Sequence, residues 1–409
     1  MYIRRHIEDT IRRVSGMYPA VIVTGPRQVG KTTVLKQVCK DIPYITLDDP
    51  GIMEYAKTES ALFFKTYAPP VVLDEVQYAP ELFPYIKMMA DETKEKRLFY
   101  MTGSQTFQLM KNVTESLAGR IGVLQMLGLS LREIVGREDS TPFVPTSEYI
   151  ENTGKEVKDV SQQDIWQIIH RGSMPRLYHE NIDDHFWRQF YGDYIRTYLE
   201  RDVRALAQIG DHTAFLQFMR LLAAATGQML NYSRMAKDIG KSVDTVKSWV
   251  STLRTSGIVF LLPPYYHNFN KRIVKTPKIY FMDTGLASYL AGWYTHEQLQ
   301  FGAMSGAIFE TFVVSEVIKG YYNQGYDDLC FSYYRDKDMN EIDLIIESNG
   351  VLYPMEIKKT GHPSKQDIKA FVKLEGNEQR PVGEGGLICL VEAVRHLTPK
   401  SRAIPIRYI

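Results

Sequence analysis

The run Gly25-Pro26-Arg27-Gln28-Val29-Gly30-Lys31-Thr32-Thr33 fits the spacing GxxxxGK[ST]. Two glycines so spaced let the backbone wrap a phosphate with its N–H groups at the positive end of a helix. Lys31 then reaches the β- and γ-phosphates of ATP, and the Thr32 hydroxyl binds Mg²⁺. Val71-Val72-Leu73-Asp74-Glu75 supplies the second half. An apolar run ends there in two acids, Asp74 to hold Mg²⁺ through water and Glu75 to polarise an attacking water as general base. Ser104, just past the run Leu98–Thr102, either orients that water or caps the next helix. Arg120 either reaches a neighbouring subunit's nucleotide or pairs with surface acids. Arg27 either adds charge beside the nucleotide or is solvated.

A second set of acids lies near the C-terminal end of the sequence. NEIDLIIE (Asn340–Glu347) and VLYPMEIKK (Val351–Lys359) flank Asn349-Gly350, the strongest two-residue hairpin signal. That turn sets Asp343 opposite Glu356 and Glu341 opposite Lys358 on one face. The other face pairs Ile342 with Ile357, Leu344 with Met355 and Ile346 with Tyr353, an apolar set that supports the register. Opposed carboxylates repel. A divalent cation on Asp343 and Glu356 would neutralise them, with Glu310 completing the ligands and Lys358 activating a water. The alternatives are a solvated polar face and a plain Glu341–Lys358 ion pair.

A third candidate is basic. Asn231–Gly285 holds nine Lys/Arg against three acids, a charge of +6. Helices over Phe215–Thr226, Tyr232–Ile239 and Ser242–Thr255, then strands Ile258–Pro263 and Lys278–Met282, follow the order of a winged helix. Val243, Val246, Val250 and Leu253 repeat at helical spacing and point inward. Lys241, Ser242, Thr245 and Lys247 suit phosphate and base-edge contact with DNA. Lys271, Arg272 and Lys275 lie in the loop that would form the wing. The alternatives are a solvated basic face and a protein-binding module.

The elements that must position these residues follow from pattern. Short apolar runs at Ala20–Thr24, Tyr44–Leu47, Val71–Leu73, Leu98–Thr102 and Val123–Met126, with helical stretches between them, predict a parallel sheet covered on both faces. Arg137–Val160 reads as a linker or mobile loop. Apolar residues at three- and four-residue intervals make Gln162–Gly257 helical, and the last ~120 residues return to mixed α/β. The expected division is 1–136 for the phosphate-binding sheet, 137–160 for the linker, 161–212 for a helical region, 213–285 for the winged helix and 286–409 for the C-terminal domain.

Composition bounds the rest. The chain has 409 residues, 44% hydrophobic and 24% charged, which is globular rather than disordered. Three cysteines, Cys39, Cys330 and Cys389, are too few for a disulfide framework, so a reducing cytoplasm is the default. No run reaches the ~18 apolar residues of a membrane helix. The opening MYIRRHIEDTIRRV lacks the apolar run of a signal peptide. The net charge of +1 conceals a division, since the basic segment carries +6 and the remainder −5.

GPRQVGKTT, VVLDEVQYAPELF, YMTGSQTFQLM and SLAGRIGVLQMLGLSLREI resemble the AAA-type ATPases that carry a DUF4143 domain. FMDTGLASYLAG, GAIFETFVVSEV and NEIDLIIE…MEIKK resemble that companion domain. The resemblance implies a P-loop sheet of the ASCE type with Glu75 as catalytic acid, then a winged helix and a restriction-endonuclease-like α/β domain. Against the PD-(D/E)xK nuclease pattern, Glu310, Asp343, Glu356 and Lys358 match the helix acid, the Asp and the ExK. Met339-Asn340-Glu341 stands where Pro-Asp is usual. TYLERDV (Thr197–Val203) also resembles the family and has no assigned role. The function expected is an ATP-driven switch or motor acting on DNA. The alternatives are an ATP-gated Mg²⁺-dependent nuclease and a nucleotide-dependent scaffold with protein partners, either one as a homo-oligomer or not.

Overall fold

The computed structural model describes residues 2–103, 116–157, 160–179, 182–198, 211–265, 276–326, 330–375 and 380–409. The chain divides into two compact units. One is Met1–Leu129 with Thr255–Gly257 and Tyr322–Gly325, and the other is Ser130–Arg254 with Ile258–Tyr321 and Tyr326–Ile409.

In the first unit α1 (Ile7–Ser15) precedes β1 (Ala20–Thr24), and α2 (Lys31–Val38) leads to β2 (Tyr44–Thr46). Then come β3 (Val71–Asp74), α3 (Leu82–Thr93), β4 (Phe99–Gly103) and β5 (Ile121–Gln125). The strands lie in the order β2-β3-β4-β1-β5 and every pairing is parallel. The apolar runs fixed these strands to within two residues at their ends. β1, β3 and β4 are buried along their whole length, as strands covered on both faces must be. Because β4 lies between β1 and β3, the ends of all three converge on one edge.

The second unit opens with a correction. The segment expected to be a linker contains a helix, Ser147–Gly154, capped by the Thr146 hydroxyl. Its Ser147 hydroxyl and N–H donate to the Glu384 carboxylate, and Phe143 and Tyr149 are buried. The polarity that suggested a loop is used in these bonds. α4 (Gln162–Arg171) and α5 (Asp184–Tyr194) follow, then α6 (His212–Ala224), β6 (Gln228–Met229), α7 (Tyr232–Asp238) and α8 (Val243–Thr255). β7 (Val259–Leu262) and β8 (Lys278–Phe281) join β6 in a small antiparallel sheet, ordered β6-β8-β7. Trp249 of α8 packs on Phe215 and Phe218, each 5.3 Å away. Val246, Val250 and Leu253 are buried beside it, while Val243 is only half-buried.

After α9 (Thr284–Leu290) and the long α10 (Ser305–Asn323), the chain builds a six-stranded mixed sheet. Its strands are β9 (Phe331–Arg335), β10 (Glu341–Ser348), β11 (Val351–Ile357), β12 (Gly385–Cys389), β13 (Arg395–Thr398) and β14 (Ser401–Pro405). β10 and β11 pair in the register that the Asn349-Gly350 turn predicts, from Leu344–Met355 to Ser348–Val351. Asn349 and Gly350 both take positive φ, 51° and 76°, as a type I′ turn requires. The expected alternation breaks in one place. The pairing of β10 with β9 shifts between Ile342 and Ile345, so both enter one apolar cluster. Asp343, inside that irregularity, is buried rather than solvated, and so is Glu356.

Candidate functional site

The phosphate loop joins β1 to α2 at the edge where β3 and β4 also end. Gly25 stands at φ 142°, and a side chain there would put its Cβ 2.0 Å from the Met126 carbonyl oxygen, so only glycine fits. Gly30, at φ 96°, turns the chain into α2. Lys31 is buried, and its Nζ donates to the carbonyls of Gly25 (3.0 Å) and Pro26 (2.7 Å). Burial lowers its pKa to about 8, against the pull of the Glu75 and Asp74 carboxylates, and the Arg27 charge lowers it further. Arg27 is half-buried, Val29 buried, and Gln28 and Thr33 exposed.

Asp74 is the hub of this edge. One carboxylate oxygen accepts from the Thr32 hydroxyl at 2.9 Å and from Thr102, and the other accepts from the Tyr44 hydroxyl at 2.6 Å. The next residue, Glu75, is held at φ 56°, a left-handed conformation that a glutamate adopts only under constraint. Its N–H donates to Thr102 Oγ1 at 3.0 Å, and its carboxylate accepts from Gln77. Tyr44, Thr102, Gln77 and Arg5 were given no role from sequence, although Gln77 and Thr102 lie in the runs VVLDEVQYAPELF and YMTGSQTFQLM. Arg5 is buried and donates to the carbonyls of Val29 in the loop (2.8 Å), Leu127 (2.9 Å) and Gly128 (3.0 Å).

Two further candidates stand differently. Arg120 precedes β5, at the opposite end of the parallel sheet from the loop, and forms a two-pronged pair with Asp91 of α3 at 2.5 and 3.0 Å. That is the surface-pair alternative. Ser104 lies outside the described residues.

The second unit gathers the C-terminal acids around one of the nine Lys/Arg counted in the basic segment. Lys278, the first residue of β8, is 2% exposed. Its Nζ lies 2.6 Å from Glu341, 2.9 Å from Glu310 and 3.5 Å from Asp343. Burial works against its charge, but Tyr280, Glu310, Asp343 and Glu341 together hold its pKa well above the usual value. The Tyr280 hydroxyl also donates to Glu310 at 2.6 Å. The second Asp343 oxygen accepts the Ile357 N–H at 2.9 Å. Glu356 bonds Lys358 at 2.9 Å, and burial, then the Asp343 charge, pushes its pKa up to about 8. The structure thus brings the expected set of Glu310, Asp343, Glu356 and Lys358 together, with the Lys278 ammonium on one oxygen each of Glu310 and Asp343, Lys358 on one oxygen of Glu356, and the other Glu356 oxygen buried without a hydrogen-bond partner. Among the described residues no group of three or more His, Cys, Asp or Glu is arranged to hold a metal ion.

The face expected to meet DNA is partly committed elsewhere. Lys241 pairs with Asp211 at 2.7 Å. The Ser242 hydroxyl caps α8 by accepting the Thr245 N–H at 3.1 Å and sits 2.8 Å from the Thr245 hydroxyl. Lys247, Ser248 and Ser251 are exposed. Lys271, Arg272 and Lys275 lie outside the described residues, as does most of Thr197–Val203. Among the described residues no helix is long and apolar enough to cross a membrane.

Three family models match the chain: an AAA domain over residues 17–135, domain of unknown function DUF8612 over 162–297 and domain of unknown function DUF4143 over 305–409. The uncharacterised proteins Rv2008c of Mycobacterium tuberculosis and Mb2031c of Mycobacterium bovis are each 30% identical to it over 368 residues, 88% of this chain and 75% of theirs. Among solved structures, the Walker-type ATPase PABY2304 of Pyrococcus abyssi is similar, with a TM-score of 0.44 and 15% identity over 71% of this chain and 96% of that one. AMPPCP-bound DnaA of Aquifex aeolicus follows, with a TM-score of 0.30 and 12% identity over 61% and 85%. With the AAA domain around the phosphate loop, DUF4143 over the six-stranded sheet and two relatives matched along most of their length, the chain belongs to the AAA-type P-loop ATPases that carry a DUF4143 domain.

Proposed function

We propose that the first unit binds ATP with Mg²⁺ and hydrolyses the terminal phosphate bond, and that the cycle drives a second unit that contacts DNA. The observation that carries the first part is the Thr32 hydroxyl 2.9 Å from Asp74, with Lys31 buried in the same loop. A hydroxyl and a carboxylate are the hard oxygen groups that Mg²⁺ and its waters take. Mg²⁺ held by Thr32 and Asp74 would supply positive charge to offset that of the phosphates during hydrolysis.

The residues divide the remaining work. Lys31 exchanges the Gly25 and Pro26 carbonyls for phosphate oxygens, and its charge is then matched by an anion. Thr102 and Tyr44 hold Asp74 in place when the Thr32 hydroxyl turns to the metal. Glu75 takes a proton from the attacking water, and its aim is set by the bonds from its N–H to Thr102 and from Gln77 to its carboxylate. ATP turnover of the wild type is to be compared with Lys31→Ala and Glu75→Gln. Both variants are expected to lose at least ~10²-fold in rate, with nucleotide binding lost in the first and kept in the second. Equal rates in all three proteins reject the reading.

The support for DNA contact is the exposed side of α8, with Lys247, Ser248 and Ser251 in a segment of charge +6. Such a face suits phosphate contact, which carries most of the affinity in DNA binding.

A further inference from the structure

The six-stranded sheet of the second unit, with α10, carries the acids expected to hold a metal, and a buried lysine lies among them. We infer that Lys278 is a built-in counter-ion, whose ammonium group takes the place of a divalent cation among Glu310, Glu341 and Asp343 and makes this part of the fold independent of metal.

Three observations carry this. The first is geometry. An ammonium has three donors and no acceptor, and Lys278 has three carboxylates at 2.6, 2.9 and 3.5 Å. Glu341 and Asp343 have in turn engaged both oxygens, and Glu310 one of its two, Oε1, which takes both Lys278 and Tyr280. Glu341 divides its two between Lys278 and Arg335 (3.3 Å), and Asp343 divides its two between Lys278 and the Ile357 N–H. A Mg²⁺ ion needs near-octahedral oxygens at about 2.0–2.1 Å, and one placed among these acids would face the Lys278 ammonium at 2.6–3.5 Å from the same carboxylates.

The second is that the strand is fixed. Lys278 is paired on both sides in the small sheet, to Leu262 of β7 and to Met229 of β6. Its side chain leaves a backbone that is held in place, unlike a surface lysine that swings between partners. The third is burial. At 2% exposure the ammonium stays charged because it is matched, by Asp343, which is buried, and by Glu310 and Glu341, which are half-buried. The same contact joins two modules, because Lys278 comes from the small sheet while Glu341 and Asp343 belong to the six-stranded one.

The test uses the full chain without nucleotide, carrying Asp74→Asn to remove the cation site of the phosphate loop. Mn²⁺ is titrated and the free ion followed by its paramagnetic resonance signal. With Lys278 intact, no Mn²⁺ binding that depends on Asp343 is expected. Lys278→Met should gain one equivalent of bound Mn²⁺, lose it again when Asp343→Asn is added, and recover thermal stability when Mn²⁺ is supplied. Lys278→Arg, which keeps the charge, should gain none. Mn²⁺ binding that is sensitive to Asp343→Asn while Lys278 is present overturns the inference, as does a folded Lys278→Met protein that gains no site. Should Lys278→Met fail to fold, the intact-lysine comparison decides alone: binding sensitive to Asp343→Asn refutes the counter-ion, and its absence upholds it.

Discussion

At the scale of single residues, Lys31 makes the sharpest prediction. Its folded pKa of about 8 lies below the ordinary 10.5 because the side chain is buried. Between those values the unfolded chain holds a proton that the folded protein has released. The stability of nucleotide-free protein should therefore rise as pH climbs from about 8 towards 10.5, and below 8 the full cost of burying the charge applies. The gap corresponds to on the order of 3 kcal/mol at most. Melting temperature against pH should show this alkaline rise in the wild type and lose it in Lys31→Met, and parallel profiles would refute the assignment. Lys31, Thr32 and Asp74 were legible in the sequence because a phosphate loop is local, with its spacing and its geometry nearly the same information. Lys278 was not. It lies 32 residues from Glu310 and 65 from Asp343, and nothing in its own neighbourhood distinguishes it from the surface lysines it was counted with.

At the scale of elements, Asp283 decides how several meet. Its carboxylate caps α9 through the Leu286 N–H at 2.6 Å, accepts the N–H and hydroxyl of Ser173, and accepts the Tyr191 hydroxyl at 2.8 Å. One side chain thus binds α9, α5 and the chain after α4, which gives the run FMDTGLASYLAG a physical role. Asp283→Ala should cost about 3–5 kcal/mol, as a cap is lost and buried donors lose their acceptor. Asp283→Asn, which keeps one acceptor oxygen, should cost clearly less. Denaturant unfolding of the three proteins measures both, and equal stabilities would refute the role. Elements were readable where pattern and turn agreed, as in the β10–β11 hairpin, whose turn and apolar face gave one register. They were unreadable where polar residues found partners far along the chain. The helix Ser147–Gly154 looked like a loop because Glu384, which fixes its first turn, is 237 residues away. The irregularity at Asp343 was hidden likewise, since alternation was assumed to run unbroken through β10.

At the scale of the whole molecule, near-neutrality hides a basic segment in an acidic chain, and the structure redistributes that charge. Lys278 is withdrawn into the interior and Lys241 is paired, so the exposed basic residues on the described part of the segment are Arg234 and Lys237 of α7 and Lys247 and Arg254 of α8, with Lys247 3.8 Å from Asp244. If α8 meets DNA, affinity should fall steeply with added salt, and Lys247→Glu should weaken binding several-fold without altering ATP turnover in the absence of DNA. Fluorescence anisotropy with a labelled duplex over a salt series checks both, and binding that is flat in salt or unchanged in the variant would reject the face. Two of the buried lysines, Lys31 and Lys278, also set the units apart in what they answer to. Lys31 rests on carbonyls of its own loop, so its occupancy follows the supply of an outside anion. Lys278 is tethered to its acids at an effective concentration fixed by the fold, which neither dilution nor a chelator can lower. If Lys278 is the counter-ion inferred above, the fold of the second unit is deaf to the metal supply around it, and a chelator should leave its melting unchanged.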